Sequence, residues 1–174
     1  MKTFVAVCGI TASGNRVLAR SLTKFGIGSG VYHGDDIGIR YIREAKAKHG
    51  NGIAAIIPVR SIVWRRASII KRRGADYDES TDDEFPPFTL NDEILTNRIL
   101  EVLVELKIPV RAISYEAFVE NPTEHLYILL HWLGSKIPLV QVRKICPASS
   151  FFDSNEQYRG NTDFNRIITG WKNV

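Results

Sequence analysis

Between Phe4 and Leu22 the chain reads FVAVCGITASGNRVLARSL, and no other stretch restricts the possible folds as much. Phe4 to Cys8 is short, apolar and β-branched enough for a buried strand, while Val17, Leu18, Ser21 and Leu22 recur at the spacing of one helix face. Between them lies a loop bounded by Gly9 and Gly14. Strand, glycine loop and helix in that order make a phosphate cradle. Glycine permits the tight turn, and the free N–H groups at the positive end of the following helix favour an anion. Gly9-x4-Gly14 satisfies the first half of the P-loop pattern, but Asn15-Arg16 stands where Lys-Ser/Thr would meet the terminal phosphates and magnesium. An ordinary ATP or GTP hydrolase is therefore disfavoured.

Further along, strands alternate with helices. The Gly-rich run Gly26 to Gly30 reads as a turn, with a short strand at Val31-Tyr32-His33 that leads into Gly34-Asp35-Asp36. Asp36 is placed to cap a helix through Lys48, and Gly50-Asn51-Gly52 ends it. Ile53 to Val59 is a second buried strand, with Pro58 at its end and Arg60 just past it. Ser61 to Arg73 reads as a helix, followed by a mobile acidic loop over residues 75–88 that contains Pro86-Pro87. Asn91 caps a helix carrying Ile94, Leu95, Ile99, Val102, Leu103 and Leu106, and Pro109 to Tyr115 gives another strand. Asn121-Pro122-Thr123-Glu124 supplies a cap, a first-turn proline and an acid for a last clear helix ending at Gly134. Residues 165–171 are a short helix or an edge segment. The expected fold is α/β: three layers of the P-loop type, with a mainly parallel sheet flanked by helices.

Length and composition agree with that. One domain is expected over residues 1–174, and a chain of this size buries roughly 70% of its unfolded surface. No apolar run approaches the ~20 residues of a bilayer span, and the Phe4 to Cys8 run is too short for a secretory core, so a cytoplasmic location is expected. Cys8 and Cys146 belong to no CxxC or Cys/His cluster, and they read as buried thiols without a disulfide or zinc. The net charge of +4 hides a basic block from Arg60 to Arg73 beside an acidic block from Asp76 to Glu84. These fields partly cancel and lack interleaved aromatics, which argues against a nucleic-acid surface.

Three segments fall at expected strand ends, where ligands of parallel sheets gather: Gly9 to Arg16, Arg60 with Ser68, and Tyr115-Glu116. Together they resemble the sulfotransferases that use 3'-phosphoadenosine 5'-phosphosulfate (PAPS). Ser13-Gly14-Asn15 matches the Ser-Gly-Thr of the family's 5'-phosphosulfate loop, and Arg60 with Ser68, eight residues on, matches its 3'-phosphate motif. ISYEAFVENPTEHLYILLHWLG is similar to the family's strand-Tyr-Glu-Asp-helix region, with Tyr115 at the residue close to the adenine and Ala117 in place of the acid. Arg159-Gly160 loosely echoes its last basic-glycine motif. The resemblance implies PAPS as co-substrate, without a metal, bound by Gly9, Thr11, Ala12, Ser13, Gly14, Asn15, Arg16, Arg60, Ser68, Tyr115, Arg159 and Gly160. It implies sulfuryl transfer to a hydroxyl or amine of a small-molecule or saccharide acceptor.

One departure bears on mechanism. The family has a Lys or Arg before the Ser-Gly pair to stabilise the leaving phosphate, and here that position is Ala12. Arg16, or Arg40 and Arg43 from the next helix, would have to replace it. A general base is also needed. His33 is the first choice because its ordinary pKa is nearest neutral, and the neighbouring Asp35 and Asp36 are further candidates. His49, His125 and His131 read as surface or packing residues, and Trp64, Trp132 and Trp171 as packing. The rival readings are a degenerate member that binds nucleotide without catalysis and a nucleotide or small-molecule kinase with an eroded P-loop.

Overall fold

Strand β1 (Phe4–Cys8) sends successive side chains to opposite faces, and both faces are apolar because both are covered. The computed structural model describes residues 1–9, 14–61 and 90–147, residues 90–92 by backbone only. Within it, β2 (Gly28–Tyr32), β1, β3 (Ile53–Val59) and β4 (Val110–Ser114) lie side by side in the order β2-β1-β3-β4, all parallel. The register pairs Val5 with Ser29 and Ala54, and Ile57 with Ala112.

Six α-helices and a 3₁₀ turn at Gly50–Gly52 complete the described part: α1 (Asn15–Thr23), α2 (Asp36–His49), α3 (Leu90–Glu105), α4 (Tyr115–Glu120), α5 (Pro122–Trp132) and α6 (Leu139–Ile145). On one face Val5, Val7, Ala54 and Ile56 pack with Val17, Leu18 and Leu22 of α1, Phe118 of α4 and Leu126, Leu129 and Leu130 of α5. On the other, Ala6, Cys8, Ile53, Ala55 and Ile57 pack with Ile42 of α2 and Ile99, Val102 and Leu103 of α3. This is the expected three-layer α/β arrangement. Each fully buried Leu or Ile contributes about 1.5–3 kcal/mol, so truncating Leu18 or Ile56 to alanine would cost about 2–5 kcal/mol.

The chain goes from β1 to β2 through α1 on one face, then crosses back over β1 to β3 through α2 on the other. The direction of winding reverses between β1 and β3, and a crevice opens at the carboxyl ends of strands that diverge in this way. β3 places Pro58 past the last residue paired with β1, Ile56, so no β1 partner lacks its N–H.

Several local expectations need correction. The helix cap is Asp35, whose carboxylate accepts the Gly38 N–H at 2.6 Å; Asp36 is the first helical residue. β2 begins at Gly28, inside the stretch expected to turn, because pairing with β1 and a bond from Ser29 Oγ to the Ala19 carbonyl (3.0 Å) override glycine's weak strand preference. Tyr115 opens α4 instead of closing β4, with Ser114 Oγ accepting the Ala117 N–H. α3 starts at Leu90, so Asn91 lies within it. Asn121 stands at the start of α5 without capping it by its side chain, since it also terminates α4. α4 and α6 had no counterpart in the sequence reading. The rest of the helix expected over 61–73, the acidic loop at 75–88, the segment 165–171, Trp64 and Trp171 lie outside the described residues. Among the described residues no helix is long and apolar enough to cross a membrane.

Candidate functional site

The carboxyl end of β1 is held from both sides through one residue. Gly9 donates its N–H to the Tyr32 carbonyl at 3.1 Å, which extends the β1–β2 ladder by one bond. Its carbonyl accepts two donors, Asn15 Nδ2 at 3.2 Å and His33 Nδ1 at 2.8 Å, using both oxygen lone pairs. Asn15 is 6% exposed in the first turn of α1, so the neck of the glycine loop is closed by a buried amide. The P-loop pattern would have a lysine there. A carbonyl only accepts, so Nδ1 carries a proton in this contact, and in the neutral imidazole the lone pair is then on Nε2.

At the other end of the loop, Gly14 has φ of +90°, a left-handed conformation natural to glycine. The Tyr115 ring lies where a Cβ at position 14 would stand, so the residue must be glycine for space as well as for backbone angle. Gly14 is the N-cap of α1 and supplies no side chain to its first N–H groups, and the first turn carries no acid. The positive end of the helix dipole at this turn favours an anion.

Arg60 leaves the end of β3 and lays its guanidinium over the Tyr115 ring, 4.7 Å from the centroid. Tyr115 itself is only 6% exposed. Next to it, Glu116 accepts the Ser61 N–H at 2.9 Å through Oε1 and the Ser114 hydroxyl at 3.3 Å through Oε2. The ends of β1, β3 and β4 are thereby connected through Gly14, Tyr115, Arg60 and Glu116. Of the expected site residues, the structure brings Gly9, Asn15 and His33 into one cluster and Gly14, Arg60 and Tyr115 into another, both at the carboxyl edge of the sheet.

Other expected residues face elsewhere. Asp36 is exposed and ion-paired with Arg98 of α3. Arg43 forms a two-pronged pair with Glu105 of α3 at 2.6 and 2.7 Å, and Arg40 pairs with Glu44 on its own helix at 3.7 Å. Arg43 is thus engaged with the neighbouring helix and Arg40 with its own. Arg16 is exposed one residue beyond Asn15, in the first turn of α1. His49 stacks on Phe4, His131 contacts Tyr127, and His125 hydrogen-bonds the Asn121 carbonyl, all packing or surface roles. Thr11, Ala12, Ser13, Ser68, Arg159 and Gly160 lie outside the described residues.

Cys8 directly precedes Gly9, but burial pushes its thiol up to about 12, so it carries no thiolate at neutral pH and is not a nucleophile. Two contacts escaped the sequence reading: Asn15 on the Gly9 carbonyl and Glu116 on the Ser61 N–H. Both join a side chain to backbone, one across the loop from Asn15 to Gly9 and one across 55 residues, and apolar periodicity reveals neither. No known protein family, curated protein or solved structure matches this chain.

Proposed function

We propose that this domain binds PAPS and transfers its sulfuryl group to an acceptor hydroxyl or amine. The observation that carries the reading is the convergence of Gly14, Tyr115 and Arg60 at the carboxyl ends of β1, β3 and β4, beside the winding reversal. A nucleotide with phosphates at both 3' and 5' positions needs two separate anion sites. The N-terminus of α1 after Gly14, with its positive dipole end and no acid in its first turn, suits the 5' group, and the planar guanidinium of Arg60 at the end of β3 suits the 3'-phosphate.

The co-substrate supplies an activated sulfuryl group on a phosphate leaving oxygen. In transfer, the acceptor oxygen or nitrogen bonds to sulfur while the sulfur–oxygen bond to the 5'-phosphate breaks, its electron pair leaving with that phosphate. The acceptor's proton goes to a base. His33 Nε2 fits that part in the neutral imidazole, because Nδ1 is fixed on the Gly9 carbonyl and the lone pair is then on Nε2. Arg16, exposed in the first turn of α1, is the remaining choice for the cation that stabilises the departing phosphate, now that Arg40 and Arg43 are engaged elsewhere.

A second reading, nucleotide binding without turnover, is favoured by Asn15, whose amide closes the loop neck at the position where a lysine would reach for phosphates. Titration calorimetry with adenosine 3',5'-bisphosphate, alongside ATP with magnesium, tests both. Binding of the bisphosphate that Arg60→Ala abolishes supports the cofactor reading, and transfer from PAPS to a panel of acceptors then separates enzyme from binder. Binding of magnesium-ATP alone would replace both readings with the kinase alternative.

A further inference from the structure

The Tyr115-Glu116 dipeptide follows β4, yet its contacts serve neighbouring elements. The Tyr115 ring meets Gly14 at the start of α1 and carries Arg60 over its face, and the Glu116 carboxylate takes the N–H of Ser61 at 2.9 Å. That N–H belongs to the peptide joining Arg60 to Ser61, so the bond fixes the backbone immediately after Arg60. A chain leaving a strand end otherwise keeps two soft dihedrals per residue, and a long arginine would sample many rotamers. With the peptide held by Glu116 and the guanidinium resting on the ring, both ends of Arg60 are defined.

A carboxylate next to an anion site opposes the anion by simple repulsion, so its presence calls for a compensating role. Here each carboxylate oxygen accepts a hydrogen bond, Oε1 from Ser61 and Oε2 from Ser114. The half-buried Glu116 thus spends its charge on the turn that carries Arg60. Tyr115, 6% exposed and covered by the guanidinium, offers little ring surface to a base and serves as the bed for Arg60.

We infer that Glu116 is a positioning residue: it holds Arg60 against Tyr115 and presets the guanidinium for the 3'-phosphate, a role that rests on the cofactor reading above. Glutamine keeps an oxygen that accepts from Ser61, whereas alanine removes it. Two measurements on the full chain test this. In the first, Glu116→Ala is expected to weaken adenosine 3',5'-bisphosphate binding about tenfold and to leave AMP, which lacks the 3'-phosphate, within about twofold, while Glu116→Gln stays near wild type. In the second, ring-current displacement of the Arg60 side-chain NMR signals by Tyr115, identified by their loss in Arg60→Lys, is expected to vanish in Glu116→Ala and to persist in Glu116→Gln. Unchanged Arg60 signals in Glu116→Ala, equal losses for both nucleotides, or a glutamine variant as weak as alanine would overturn the role. If the wild-type protein binds neither nucleotide, the cofactor reading falls, and the NMR comparison still decides whether Glu116 sets Arg60.

Discussion

The ring of Tyr115 occupies the space that a side chain at Gly14 would need, which ties the end of β4 to the first turn of α1. Gly14→Ala therefore faces two penalties. A non-glycine residue at φ +90° costs about 1–3 kcal/mol, and the methyl group also displaces the ring. The expected outcome is a lower urea midpoint together with lost bisphosphate binding, because the ring that moves is the one carrying Arg60. Adding Tyr115→Ala should recover part of the stability by relieving the overlap, but not the part due to φ. Unfolding of the four proteins of this double-mutant cycle measures it, and simple additivity would show that the two residues do not act on each other.

Cys8 gives a prediction with a defined sign. Its thiol rises from the ordinary 9.0 to about 12 through burial. Between those values the unfolded chain has released the proton and the folded chain retains it. The contribution is therefore fully present below pH 9 and lost as pH rises toward 12, at up to about 1.4 kcal/mol per pH unit. Cys8→Ala lacks this slope, although it loses packing at every pH. Urea unfolding in reductant at a series of pH values should show the wild-type advantage over Cys8→Ala shrinking above pH 9; a constant difference would contradict it.

What could be read from the chain follows the range of the forces involved. β1, α1 and β3 were legible because their apolar periodicity is local, and the alternation of strands with helices gave the parallel layered fold. β2 was read too short because its glycines take their strand conformation from pairing with β1, a non-local effect. Asp35 and Asp36 are adjacent and chemically identical, so only geometry decides which of them caps α2. At the site, Gly14, Arg60 and Tyr115 carried a recognisable pattern. The part of Asn15 at the Gly9 carbonyl did not, since it depends on where a buried amide points. Glu116 escaped for a similar reason: its partner lies 55 residues away along the chain.

Two exposed ion pairs, one between α2 and α3 and one between α5 and α6, predict a mild acid sensitivity. The hydrogen bond from Arg43, with its charge, holds the Glu105 carboxyl below the usual 4.5, and Arg143 does the same for Glu124. A depressed folded value means that the stabilisation is present above the ordinary carboxylate range and is lost as pH falls through the lowered one. Both pairs are exposed, so the effect is small and screened by salt. Thermal unfolding at low ionic strength should lose midpoint as pH drops from about 5 to about 3, Glu105→Gln should flatten that dependence, and 0.5 M salt, with a Debye length of roughly 4–5 Å, should reduce the difference. A glutamine variant with an unaltered acid profile would show that the Arg43 pair contributes nothing to it.

His33 can be divided into two functions because its nitrogens face different tasks. Nδ1 donates to the Gly9 carbonyl at 2.8 Å and secures the loop neck, while Nε2 holds the lone pair assigned to the acceptor's proton. Asparagine places an amide N–H near the position of Nδ1 and has nothing at Nε2, so His33→Asn keeps the neck and removes the base. Bisphosphate affinity of His33→Asn should match wild type, while sulfuryl transfer should fall by about 10²–10⁴-fold, the usual worth of a general base. His33→Ala removes both functions and should weaken nucleotide binding as well. Equal transfer rates in wild type and His33→Asn would move the base elsewhere and leave His33 only its hold on Gly9.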